Sequence, residues 1–203
     1  MNYLFHLFLS GEDPEILVRN FMGDFVKGPL GGAYPPRLRL GIELHRHIDS
    51  FAQHQTDFTR SRLRLAKEFG LYRGVLVDLY YDHFLAVTWN DWSGEPLADY
   101  LNRVRKIVEG KRSQLPEQLQ GLVPVIFEEL LPSYREVEGV SKALERMAKR
   151  VKRVNPLASG GGELVRHYQG LQDDFTGFFP AVREFAERQL AGQPIESSEL
   201  IQP

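Results

Sequence analysis

The chain of 203 residues contains no cysteine. That absence excludes thiol nucleophiles, disulfides, iron–sulfur clusters and cysteine-ligated zinc, so nitrogen and oxygen must hold any metal. No apolar run approaches the ~20 residues that a bilayer-spanning helix needs. The opening MNYLFHLFLSGEDPE has neither a basic n-region nor a small-residue cleavage site, so it does not read as a signal peptide. Net charge is also nearly absent, at −2, which argues against a polyanion binder on bulk grounds while leaving room for local segregation. The expectation is a cytoplasmic protein with no membrane and no nucleic acid as partner. What is present is an ordinary globular composition, 42% hydrophobic and 26% charged. A chain of this length buries roughly 70% of its unfolded surface, enough for one core without a staple. Six histidines and 27 acidic residues remain as candidate ligands.

The hydrophobic pattern has helical spacing nearly throughout, which predicts an all-α, single-domain helical bundle over residues 1–192. Asp13-Pro14 reads as an N-cap followed by a proline at the first helical position, opening a helix to about Val26. KGPLGGAYPP (Lys27–Pro36) is a turn-rich loop before a second helix from Pro36 to His54. A third starts at Thr56 and ends before Gly70, a fourth spans Tyr72 to about Trp89, and a fifth spans Pro96 to about Lys111. Two or three more fill Pro116 to Lys152, broken near Pro132. The loop NPLASGGG (Asn155–Gly162) precedes a last long helix that Pro180 is expected to kink. Residues 193–203 read as a loosely ordered tail. No strand alternation, repeat or low-complexity segment interrupts this pattern.

Polar residues stand where the helical period demands apolar ones. In the fourth helix Leu71, Val75, Asp78, Asp82, Leu85 and Trp89 fall within an arc of roughly 80°, with two carboxylates at its centre. His83 lies on the flank of that stripe, beside Leu76 and Leu79. In the second helix Leu38, Ile42, His45 and Asp49 form a similar stripe, and in the first Leu17, Phe21 and Asp24 do so. Taken singly, an inward Asp is commonly a helix-cap acceptor or an arginine partner, and an inward His is commonly hydrogen-bonded core. Several uncompensated carboxylates would instead cost several kcal/mol each, or take up protons. A divalent cation removes that cost, and carboxylate with imidazole suits Mn²⁺, Fe²⁺, Mg²⁺ or Zn²⁺. The competing solution is internal pairing with Arg39, Arg46 or Arg73. His6, inside NYLFHLFL, is open to both a core and a ligand role, whereas His47, His54 and His167 have no ligand pattern.

Basic residues cluster at Lys142, Arg146, Lys149, Arg150, Lys152 and Arg153, against the single acid Glu145. A second group is Arg60, Arg62, Arg64 and Lys67. Such groups are either solvated helix faces or docking surfaces for acidic or phosphorylated partners. No nucleic-acid motif accompanies them.

MNYLFHLFLS, GDF at Gly23–Phe25, PP at Pro35–Pro36, GIELHRHID at Gly41–Asp49 and DLYYDHFLAVTW at Asp78–Trp89 together resemble the bacterial acyl carrier protein phosphodiesterases. The resemblance is collinear through the first ninety residues. It continues more loosely through MAKR at Met147–Arg150 and the aromatic-rich last helix. That family is similar to the HD-type metal-dependent phosphohydrolases, so an HD-domain-like bundle is implied. The implied reaction is hydrolysis of the phosphodiester joining 4′-phosphopantetheine to the serine of holo acyl carrier protein, giving the apo form. The implied cofactor is a divalent metal, typically Mn²⁺, with Mg²⁺ or Fe²⁺ as alternatives. The chain departs from the pattern in having no His-Asp dipeptide, only the reversed Asp82-His83. It also carries Phe8 and Gln53 where the family often has His and Asp.

On this reading the metal ligands are Asp24, His45, Asp78, Asp82 and His6. Asp49 is a further ligand or an orienting group for His45. Asp49 or His83 would transfer protons, and Arg46 would bind phosphate bidentately. The acidic carrier would dock on Arg146, Lys149, Arg150, Lys152 and Arg153. Two other readings stay open: a phosphohydrolase for a nucleotide or another small phosphodiester, and a non-catalytic helical binding protein.

Overall fold

A computed structural model describes residues 2–30 and 36–195. The described residues contain helices and no strand, as the periodicity predicts. In chain order the helices are α1 (Tyr3–Phe8), α2 (Pro14–Phe21), α3 (Pro36–His54), α4 (Thr56–Arg64), α5 (Tyr72–Val87) and α6 (Trp89–Trp92). They continue with α7 (Leu97–Gly110), α8 (Glu117–Val125), α9 (Leu131–Ser133), α10 (Val137–Arg150), α11 (Gly160–Arg166) and α12 (Tyr168–Leu190). Residues 31–35 of the expected loop and 196–203 of the expected tail lie outside the described part.

Helix α5 is the axis of the bundle. From Leu76 to Ala86 it is buried on nearly every side, so it has no wet face. α1, α4, α10 and α12 all pack against it, and α12 also lies along α3 and α4. The core where α1 and α12 meet is aromatic: the Phe5 ring sits 5.3 Å from Phe179 and 6.0 Å from Phe178. On one flank α2 pairs with α3, and Gly41 permits it, because a Cβ there would collide with Arg19 Cβ and the Ile16 carbonyl.

Several local expectations are refined. Residues 3–8 form a short helix that was not anticipated, and it carries His6. Asp13 caps α2 as expected, its Oδ1 accepting the Glu15 N–H at 2.8 Å. That helix stops at Phe21, however, and Asp24 belongs to a separate 3₁₀ turn, Gly23–Phe25. The expected loop at 155–162 contributes a 3₁₀ turn and the start of α11, and the last helix is divided at His167, with Pro180 inside an α12 that runs unbroken from Tyr168 to Leu190. Leu71 is 97% exposed and Val75 partly so; the α5 stripe therefore enters the protein only from Asp78 onward.

Candidate active site

Two helices and one turn bring His6, His45, Asp49 and Asp24 together. His6 comes from α1, His45 and Asp49 lie one turn apart on α3, and Asp24 comes from the 3₁₀ turn. The imidazoles of His6 and His45 are buried and stacked, with ring centroids 3.8 Å apart and planes inclined by 17°. Both present Nε2 to one carboxylate: His6 Nε2 lies 3.3 Å from Asp49 Oδ1, and His45 Nε2 lies 3.4 Å from Asp49 Oδ2. Asp24 Oδ1 approaches His45 Nε2 at 3.5 Å from the outer side, where its side chain is 60% exposed.

Backbone packing orients these rings. His45 Nδ1 donates to the Asn20 carbonyl at 2.9 Å, which leaves Nε2 as the lone-pair nitrogen. Asn20 is fully buried, and its side-chain amide donates to the His6 carbonyl at 3.0 Å, so one residue ties α2 to both histidine-bearing helices. Gly23 lies against the His45 ring so closely that a Cβ would overlap it. This is why GDF begins with glycine: the turn must ride on the imidazole to deliver Asp24.

The cluster opens into a cavity of about 310 Å³ whose walls include Asp24, Asp49, Asp78, Asn2, Gln53 and Met147. Burial raises Asp78 above the ordinary carboxylate range, and the charges of Asp49 and Asp24 add to that rise. Burial acts on Asp49 in the same sense, but the positive charge around it, the terminal amino group's before that of the two imidazoles, overcomes that and holds it well below the usual range. Burial, reinforced by His45, lowers His6 to about 4, so its ring is neutral near pH 7, the form that ligates metals.

The donor set fits a divalent cation. His6 is wholly buried, yet neither ring nitrogen makes a well-formed hydrogen bond among the described residues. A buried polar group is ordinarily satisfied. Here the aimed Nε2 atoms and the carboxylate oxygens stand 3.3–3.5 Å apart, slightly beyond hydrogen-bond contact. Donors about 2.0–2.2 Å from a shared ion are separated by about this much.

Other expected site residues lie elsewhere. Asp82 is completely buried, and its two oxygens accept the Leu4 and Phe5 N–H groups at 2.9 and 3.0 Å. It caps α1 and so fixes the helix that carries His6; burial pushes its carboxyl up to about 7 against the pull of those two bonds. Both nitrogens of His83 are engaged: Nδ1 donates to the Tyr134 carbonyl at 2.7 Å and Nε2 meets the Tyr168 hydroxyl at 3.0 Å. A ring bonded in this way has no free nitrogen for proton transfer in this arrangement. Arg46 Nη2 donates to the Val26 and Gly28 carbonyls, closing the loop after Asp24 rather than presenting a fork to phosphate. The anticipated competitors for the inward carboxylates are spent too, Arg39 on Glu43 and Arg73 on the Ala66 carbonyl.

The basic strip divides in two. Arg146 and Arg150 line a recess that also contains Asp24, whereas Lys149, Lys152 and Arg153 line a different, shallow groove beside exposed Val154. Arg60 and Arg64 of the second basic group both bind Asp174. Of the two departures, Phe8 packs against Trp89 and Phe179 and is not a wall of the acidic cavity. Gln53 is such a wall, and its Oε1 accepts from Arg62 at 3.1 Å. Asn20 was not singled out from sequence, although it is a polar residue on the buried side of an amphipathic helix; Asn2, Gly23 and Met147 entered only inside the motifs MNYLFHLFLS, GDF and MAKR, with no role of their own.

The family model for acyl carrier protein phosphodiesterase matches residues 1–182. Curated proteins of that name are similar over nearly the whole chain. The one from Pectobacterium atrosepticum is 28% identical over 93% of this chain and 99% of its own length. One from an Escherichia coli strain is 29% identical with the same coverage. One from Shigella boydii is 29% identical over 89% of this chain and 94% of its own. No solved structure gives a significant match. The chain belongs to the acyl carrier protein phosphodiesterase family.

Proposed function

We propose that this member of the acyl carrier protein phosphodiesterase family is a cytoplasmic hydrolase that releases 4′-phosphopantetheine from the serine of holo acyl carrier protein. Its divalent cation, with Mn²⁺ the first choice, would be held by His6, His45, Asp49 and Asp24, and Asp78 would complete the acidic wall. One observation supports this reading most: two buried imidazole Nε2 atoms converge on Asp49 beside a cavity that also holds Asp24 and Asp78. When bound, such a cation polarises phosphoryl oxygens and makes water a competent nucleophile near neutral pH.

The protein's own residues supply orientation and charge balance. The Asn20 carbonyl fixes the His45 tautomer, and the Asp82 cap fixes α1, which sets where His6 Nε2 points. Asp49 spans both rings, one carboxylate oxygen facing each Nε2. In the hydrolysis the phosphorus–oxygen bond to serine breaks. The water oxygen ends on phosphorus, one water proton ends on the serine oxygen, and the other is released to solvent or to the phosphate. Arg150 and Arg146, beside Asp24, supply positive charge for the substrate phosphate and for an acidic carrier surface.

No helix among the described residues is long and apolar enough to cross a membrane. The test is to incubate the protein with holo acyl carrier protein and Mn²⁺ and follow the carrier by intact-mass spectrometry. Conversion to the apo mass, abolished by chelator, is the expected result. An unchanged holo mass, with turnover of a nucleotide diester instead, would replace this reading by the small-diester one.

A further inference from the structure

Beside the acidic cavity lies a second recess of about 140 Å³, and the two share Asn2, Asp24 and Met147 as walls. Five aliphatic side chains, Leu122, Ile126, Leu130, Ala143 and Met147, line it together with the Tyr3 and Tyr134 rings, and Arg146 and Arg150 add positive charge to its walls. Arg146 is held by Glu129 at 2.6 Å, while Arg150 has no ion pair among the described residues.

The wall between α8 and α10 has an unusual backbone. Pro124 inside α8 has no N–H to offer the Gln120 carbonyl, and Arg112 Nη2 takes that carbonyl at 3.0 Å. The chain then widens into a π-helical turn, Ile126–Leu130. Both end residues of that turn, Ile126 and Leu130, face the recess. Isolated π turns are costly and recur at ligand sites.

We infer that this recess receives the proximal end of the pantetheine arm, the dimethyl-bearing carbon one methylene from the phosphate, while Arg150 holds the phosphate at its mouth. This rests on the reading of the substrate given above. In 4′-phosphopantetheine the phosphate is bonded to a CH₂ group, which is bonded to a carbon bearing two methyl groups. A phosphate beside Asp24 therefore places a compact apolar group within one or two bonds of the shared wall. The recess supplies five apolar side chains there, and it is too small for the whole arm, which would leave along the surface. Inorganic phosphate can use Arg150 but gains nothing from the apolar wall.

The test is calorimetric titration of the Mn²⁺-loaded protein with 4′-phosphopantetheine and, separately, with inorganic phosphate. The arm-bearing ligand is expected to bind about tenfold more tightly, the value of burying one or two methyl-sized groups. Leu130→Trp, which fills the recess, is expected to reduce that ratio below about twofold. Leu122→Phe is the second filling variant, and circular dichroism confirms the fold of each. Because each variant's phosphate affinity is its own reference, a general loss of anion binding leaves the ratio interpretable. Equal affinities in the wild type, or a preference that survives in both filled variants, would overturn the inference. Mass spectrometry of the holo carrier separates the two levels. Release of the arm without any preference for it over phosphate removes the recess alone, and preference without release removes the proposed reaction alone.

Discussion

Two carboxylate clusters in this bundle, one buried and one half-buried at the edge of a cavity, are stabilised in opposite ways. On α12 the carboxylate of Asp174 is buried and meets two guanidinium groups, from Arg60 and Arg64, with the Ser61 hydroxyl donating at 3.0 Å. On α3 Asp49 meets two imidazoles, which are neutral or cationic according to their surroundings. The first cluster balances its charge from side chains that are always cationic, and it ties α4 to α12. The second gathers further acids around its cavity, Asp24 and Asp78, and leaves lone-pair nitrogens aimed inward. A carboxylate neutralised by arginine is finished as structure. One surrounded by imidazole and more carboxylate is arranged for a cation that the chain does not itself supply.

Variants on either side should therefore fail in different assays. His45→Ala should lower conversion of holo to apo carrier by about 10³-fold, equivalent to about 4 kcal/mol of transition-state stabilisation, with only a small shift in melting temperature. A large melting shift with turnover retained would place His45 with the structural cluster. Asp82→Ala sits between the two cases, since it leaves two buried N–H groups of α1 unsatisfied. It should cost about 3 kcal/mol of stability and, by loosening the helix that carries His6, weaken metal uptake as well. Metal loss without any loss of stability would return Asp82 to the ligand set. Asp174→Asn should cost about 2 kcal/mol while turnover below its melting transition is preserved.

The pH dependence of that last variant carries a sign. Burial alone would raise Asp174, but Arg64 and Arg60 hold it below the ordinary carboxylate range. Its contribution is complete above the unfolded value of about 4 and fades as pH falls through the lower folded value. Denaturant midpoints of wild type and Asp174→Asn should thus differ by a constant amount above pH 5 and converge in acid. Divergence in acid would contradict the pairing. The smallest effect is expected from reversing Arg146 and Arg150 to Glu, which should raise KM for the carrier about tenfold at low salt, with the gap closing as salt rises. A gap indifferent to salt would point to a local packing fault instead of charge.

The helical class and most boundaries were legible because apolar spacing is strong along this chain, and the placement of His45 and Asp49 on one face of α3 was legible for the same reason; Asp24, read as a continuation of the α2 stripe, stands instead on the 3₁₀ turn after that helix, with its side chain 60% exposed. What the pattern could not resolve is depth. Asp78 and Asp82 share one stripe at i and i+4, yet Asp78 borders a cavity and Asp82 closes against α1. A stripe is informative where a helix has one dry face, and α5 is dry nearly all round, so angular position no longer separates a site from a cap. Nor does side-chain type disclose a backbone partner. His83 and Arg46 had suitable chemistry, but the Tyr134 carbonyl engages the first and the Val26 and Gly28 carbonyls the second. The recess beside Asp24 was illegible for a further reason: it depends on a π turn, which has no apolar period of its own.

The central claim is that His6, His45, Asp49 and Asp24 form the seat of a divalent cation. The most direct measurement is electron paramagnetic resonance of chelator-treated protein titrated with Mn²⁺, comparing wild type with His45→Ala at equal folded fraction. The prediction is saturable loss of the free Mn²⁺ signal in wild type and little or none in the variant. Identical uptake by both proteins, or none by wild type, would contradict the account.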